Sequence, residues 1–138
     1  QLEWNTLEEI ARTGTIEVFL NFPVMAINRN VRRRRTEDIP SSVKERMDRF
    51  WGTKDWMAEF FEEEQTLFGP ETVPIGQSGK ELGQRFRNRM KEIFRHCAVP
   101  LLMTNSKNAP LYCLIFAGHN ATGVRIAEDI FKKFLRMG

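Results

Sequence analysis

The chain has 138 residues, 41% hydrophobic and 28% charged, with a formal charge of +3. That length and balance suit one domain with one core. No apolar run approaches the length needed to span a bilayer and no signal-peptide pattern opens the chain, so no membrane partner is expected. Cys97 and Cys113 lie 16 residues apart without a C-x-x-C, which gives neither a disulfide framework nor a zinc signature. Buried thiols, no metal site and a cytoplasmic location are the resulting expectations.

In chain order, "NTLEEIART" (5–13) reads as a helix capped by Asn5 or Thr6 and closed by Gly14. "IEVFLN" (16–21) is a strand whose near-continuous apolar character predicts burial on both faces, as in a parallel sheet. A short helical turn over 23–30 places Val24 and Ile27 inward, with Val31 beyond it. After an arginine-rich loop, Ser41 or Ser42 caps a helix over 43–51 that turns Val43, Met47, Phe50 and Trp51 inward and ends at Gly52. "TKDWMAEFFEEE" predicts another helix, and 66–79, with two prolines and three glycines, a loop.

The longest helix is expected over 80–97, where Leu82, Phe86, Met90, Ile93, Phe94 and Cys97 form an amphipathic stripe. Two apolar runs, 99–105 and 109–118, then read as a β-hairpin. A last helix over 121–137 directs Val124, Ala127, Ile130, Phe131, Phe134 and Met137 inward. Three strands under five helices make a lopsided domain. The reading is therefore the trailing half of a larger doubly wound α/β sheet, with 24–79 as a helical and loop insertion within a single partial domain. The first residue is Gln1, not Met, and the opening run begins partway through an organised pattern, which predicts a fragment.

Charge is unevenly placed. Five arginines, Arg29, Arg32, Arg33, Arg34 and Arg35, fall in seven residues, and 80–95 carries six basic residues, among them Arg85 and Arg89. Such clusters are candidate phosphate or nucleic-acid contacts, the alternative being solvated helix faces. "GQSGKELG" (76–83) has glycines and a lysine, but a phosphate loop needs Gly at position 74 and Ser or Thr at 81, which are Pro74 and Glu81, so it is not one. His119 has no Ser or Asp set to join and reads as a strand-end polar group. "LNFP" stops an apolar strand at a small polar residue and a proline, as strands do at the ligand-facing edge of an α/β sheet. Asn21, Phe22 and Pro23 are the candidate substrate-side wall.

A helix leading into a buried strand, with a hairpin at the end of the chain, resembles the C-terminal half of class I, Rossmann-like methyltransferases. Their last two strands form a hairpin whose final strand is antiparallel in an otherwise parallel sheet. More narrowly, "LEWNTLEEIARTGTIEVFLNFPVMAINRN", "MDRFWGTKDW" and "VPLLMTNSKNAPLYCLIFAGHNATGVRIAEDIF" are similar to the three-Cys-motif partner protein family. The resemblance covers nearly the whole chain as an ordered series of segments and includes no diagnostic catalytic motif. It implies that an Asp-Pro-aromatic-Gly strand end and a glycine-rich cofactor turn belong upstream of Gln1.

The resemblance also implies S-adenosylmethionine as cofactor for the longer protein but none for this portion, with nucleic acid among the candidate substrates. The alternative expectation is a non-catalytic module that binds a radical-type partner protein or nucleic acid through basic faces. "NFPV" is loosely similar to the Asn-Pro-Pro-aromatic motif of amino-methyltransferases. Phe22 stands where its first proline belongs, however, and the strand is one place too late in the fold, so the equivalence is set aside. A half sheet also exposes an unpaired strand edge, through which two copies are expected to pair as a homodimer.

Overall fold

Residues 2–32, 35–75 and 79–137 are described by the computed structural model. Helix α1 (Trp4–Arg12) begins one residue before the predicted start because Trp4 is buried and anchors its first turn. Asn5 and Thr6 therefore lie inside the helix, and Glu3 occupies the N-cap position without a side-chain capping bond. Gly14, at φ +70°, ends it. Strand β1 (Val18–Phe22) follows, then α2 (Val24–Ile27), which runs into a π-helical turn over Asn28–Arg32. Val24, Ile27 and Val31 are buried, as their spacing predicts.

Helix α3 (Ser41–Trp51) absorbs both serines expected to cap it, and Pro40 takes the cap position. Its end does match the expectation: Gly52 has φ +93° and donates its N–H to Asp48 O at 2.8 Å. A Cβ on Gly52 would come within 2.3 Å of the Trp4 ring, so glycine is needed there for space as well as for conformation.

The segment expected as a helix and loop over 54–79 is a short helix α4 (Trp56–Phe60) and an antiparallel hairpin, β2 (Phe61–Thr66) and β3 (Gly69–Pro74). Physical chemistry explains the change. In a continued helix Glu63 and Glu64 would sit three and four residues after the buried Phe60, on the same face and against the core. Extended backbone carries them into solvent instead. Pro70 and Pro74 are tolerated because each strand of this pair has an open side.

Helix α5 (Gly79–Met90) stops seven residues before the predicted end. After an irregular turn closed by Phe94 N donating to Met90 O at 2.8 Å, strand β4 (His96–Cys97) pairs with the end of β6. Extended backbone there pairs with the end of β6, whose backbone groups on that side a continued helix would leave without a strand partner. Arg87 holds the segment back by donating Nη2 to Cys97 O at 2.8 Å. Strands β5 (Leu101–Thr104) and β6 (Pro110–Gly118) are the expected hairpin, turned at Asn108 with φ +60° and tied by Asn105 Oδ1, which accepts from Lys107 N and Ala109 N. Helix α6 (Ala121–Met137) starts where predicted, after Asn120.

β6 is the central strand. β1 pairs with one side of it and β4 with β5 along the other, every pairing antiparallel, so β1 and β5 run the same way with β6 reversed between them. Alternate residues point to opposite faces. Leu20, Phe22, Cys113, Ile115 and Ala117 face a layer made of α1, α2, α3 and α5, whereas Leu101, Leu114 and Phe116 face α6. The expectation that β1 is buried on both faces is corrected: Phe19, on the α6 side, is 59% exposed. In α6 itself, Val124, Ala127 and Phe131 are buried, but Ile130 and Phe134 are 58% and 50% exposed. A single helix is too narrow to cover that face of the sheet.

The layer opposite α6 is organised by aromatic rings around Phe86. Phe50 and Phe22 stack on it at 4.8 and 5.1 Å between centroids, while Trp51 and Trp4 approach at 5.6 and 6.3 Å. Gly79 and Gly83 let α5 settle directly on the strands, since a Cβ on Gly83 would lie 2.5 Å from Cys113 Sγ. Phe86→Ala is expected to cost about 4 kcal/mol, read as a lower urea midpoint. Gly83→Ala is expected to cost about 1–3 kcal/mol by overpacking. The same change made in a Cys113→Ala background costs less, and a double-mutant cycle by thermal unfolding measures the difference.

Candidate functional site

The carboxyl end of β1 opens into a cleft of about 330 Å³. Ile27, Val31, Met47 and Phe50 make its apolar lining, with Asn21, Asn30 and Arg46 as the polar groups and Pro23 at the strand's end. The local sequence explains the arrangement. Pro23 cannot continue the ladder and turns the chain into α2, and the π-helical turn then presents Asn30 and Val31 to the opening. α3 forms the opposite wall through the stripe that also packs the core.

Of the predicted wall, Asn21 is exposed on the strand and Pro23 is half-buried, and both line the cleft. Phe22 is fully buried, stacks on Phe86 and has no part in the lining. Arg46, Met47 and Phe50 are site residues that the sequence did not single out. The helical spacing of Met47 and Phe50 signals an inward face but not which end of it borders an opening, and Arg46 lies outside that stripe.

The two arginine groups occupy different places. Arg29 and Arg35 are exposed and make no ion pair among the described residues. Arg32 is half-buried and donates Nη1 to Asn28 Oδ1 at 2.9 Å and Nη2 to the Ile75 carbonyl, while its Nε has no partner among the described residues. Burial lowers its pKa. This guanidinium ties the π-helical turn to the chain leaving β3. Arg33 and Arg34 lie outside the described residues.

Arg85 and Arg89 line a separate groove of about 620 Å³ beside α4 and α5, together with Asp55, Glu59, Glu81 and Glu92. Carboxylates outnumber guanidiniums there. Arg85 pairs with Glu59 at 2.8 Å and Arg89 with Glu92 at 2.7 Å. Arg89 also donates Nε to Trp51 O at 3.0 Å and lies 4.1 Å above the Trp4 ring. That combination of hydrogen bond and cation–π contact fastens α5 to α1 and α3. Arg46 at the β1-end cleft makes no ion pair among the described residues, so the electrostatics favour that cleft over this groove for an anionic ligand.

His119 packs its ring on Phe94 at 5.6 Å, and its Nε2 has no partner among the described residues. No group of three His, Cys, Asp or Glu is placed to hold a metal ion among the described residues. No helix among them is long and apolar enough to cross a membrane.

Cys97 and Cys113 are free and buried. Burial pushes both thiols from an ordinary 9.0 up to about 11, against an opposing pull from Arg87 and Lys91 on Cys97 and from the Gly83 backbone on Cys113. A thiol whose pKa rises on folding contributes stability that is complete below pH 9.0 and is lost as pH climbs toward about 11. The thermal midpoint is expected to fall across that window, with a shallower slope in Cys113→Ala. At pH 8 the native chain should resist iodoacetamide until it unfolds. No family model, curated protein or solved structure matches this chain.

Proposed function

We propose that this chain is the distal part of an S-adenosylmethionine-dependent, methyltransferase-like domain of the kind that three-Cys-motif partner proteins resemble, with the cleft at the end of β1 on its substrate side. The observation that carries the reading is the strand order, in which the last strand lies reversed between two strands of common direction. A hairpin that returns its final strand into the interior of a sheet is the arrangement expected of the far edge of that fold. The free side of β1 is where the cofactor-binding half would join.

In this reading Asn30 offers an amide donor and acceptor to a substrate, the apolar lining takes a flat or aliphatic body, and Arg46 attracts phosphate, with Arg29 on the turn that walls the cleft. Nucleic acid is the candidate substrate. The chemical step belongs to the cofactor half, and this portion positions the acceptor.

A second reading, a non-catalytic module that binds a partner enzyme or nucleic acid, draws on the exposure of Arg29, Arg35 and Arg46 and their lack of ion pairs among the described residues. Calorimetric titration with S-adenosylhomocysteine separates the two. A polypeptide that includes the glycine-rich cofactor turn should bind it, lose it when those glycines are replaced, and bind none as residues 1–138 alone. Salt-sensitive binding of an oligonucleotide without any cofactor binding would favour the second reading, and absence of both defeats the two together.

A further inference from the structure

The β2–β3 hairpin is an arm. Only its root is buried, through Phe61, and Glu62–Glu64 and Pro70–Thr72 are exposed on both strands. Six paired positions give it a reach of about 20 Å at ~3.3 Å per residue. At its tip Leu67 and Phe68 are 100% and 99% exposed. Hairpin turns are ordinarily built from Asn, Asp and Gly, so two large apolar side chains in this place are unusual. They are also held in position. Thr66 Oγ1 donates to Gly69 O at 2.7 Å and accepts from Phe68 N at 3.2 Å, and Gly69 takes φ +105°.

The shaft has Glu62, Glu63, Glu64 and Glu71 and no basic residue. Register sets Glu64 directly opposite Glu71, a like-charge pair that destabilises a hairpin unless a cation comes between them. None does among the described residues. A surface that suits this arm has an apolar pocket edged by arginine or lysine. An anionic membrane or a nucleic acid would repel its shaft.

The chain carries such a surface. The cleft at the end of β1 is apolar inside, has Arg46 at its edge, and is walled by the turn that bears Arg29. Arg32 joins that turn to Ile75, at the root of the arm. Arm root and cleft are therefore neighbours in one copy, while the arm's tip is in solvent and no hairpin residue lines its own cleft. A two-fold axis beside this junction lets each arm cross into the other copy's cleft, an isologous and closed arrangement.

We infer that two copies of this chain exchange β2–β3 arms, each seating Leu67 and Phe68 in the other's β1-end cleft with the shaft carboxylates against Arg46 and Arg29. The inference rests on the cleft described above and not on the methyltransferase reading, because cofactor binding is measured separately.

Sedimentation velocity over a concentration series tests it. The intact chain is expected to dimerise, more weakly as salt is raised. Leu67→Ser with Phe68→Ser, both at fully exposed positions, should give monomer whose thermal midpoint equals that of the intact chain at concentrations where the latter has dissociated. Arg46→Glu should weaken the dimer about tenfold or more, and adding Glu64→Lys and Glu71→Lys should restore it. A mixture of the tip variant with Arg46→Glu retains one intact arm–cleft pair and should form a heterodimer that neither variant forms with itself. A chain that stays monomeric throughout overturns the inference. So does a dimer that is indifferent to the tip and to Arg46 but broken by Phe19→Lys at the edge of β1.

Discussion

Phe86 touches four aromatic rings contributed by three other elements, and the seats of α1, α3 and α5 on that side of the sheet follow from how those rings meet. Phe22 arrives from β1, Trp4 from α1, and Phe50 and Trp51 from α3. The ring reaches them because α5 lies almost on the strands, which Gly79 and Gly83 permit by presenting no side chain. Offset and edge-on ring pairs add a directional preference to ordinary apolar burial, so the cluster specifies orientation as well as stability. Arg89, one helical turn further along α5, locks the outer side by bonding the Trp51 carbonyl and covering the Trp4 ring.

The cleft is a by-product of that packing. α3 brings Phe50 and Trp51 to Phe86 and buries Met47 in the same core, and its Val43 and Arg46 border the opening. β1 alternates: Leu20 and Phe22 are committed to the core, so Asn21 between them, opposite Leu114, lies on the α6 face of the sheet and meets the cleft only where the strand ends. Structural and functional demands thus act on different residues of the same short strand. Phe22 belongs wholly to the first, and Asn21 and Pro23 are free for the second.

Short apolar runs bounded by turn residues made the strand read over 16–21 and the hairpin over 99–118 legible, and the helices α1, α3 and α6 were legible because any other pattern would bury their charges. Periodicity failed where one pattern serves two structures. The stripe that runs from Leu82 to Cys97 fits a single helix, yet Phe94 and Cys97 reach the core from a turn and a strand. Trp56, Phe60 and Phe61 fit a helical face, but the carboxylates that come after them decide the matter by leaving for solvent. The site was half legible: Asn21 and Pro23 were signalled by an apolar strand stopping at a proline. Arg46 was not, since nothing in a helical stripe says where the neighbouring helix ends. The Leu67–Phe68 tip was hidden for a related reason, as apolar residues just before a glycine and a proline read as loop filler.

The five residues of β1 are bonded to β6 along one side only. In an antiparallel ladder successive amides point alternately toward the partner strand and away from it. Within one short segment, therefore, amide protons held by β6 alternate with protons that meet solvent. Deuterium will enter such a strand in two populations, one at the pace of the folded core and one near that of a loop. The strand that anchors the aromatic cluster on one face is, along its own backbone, only half closed.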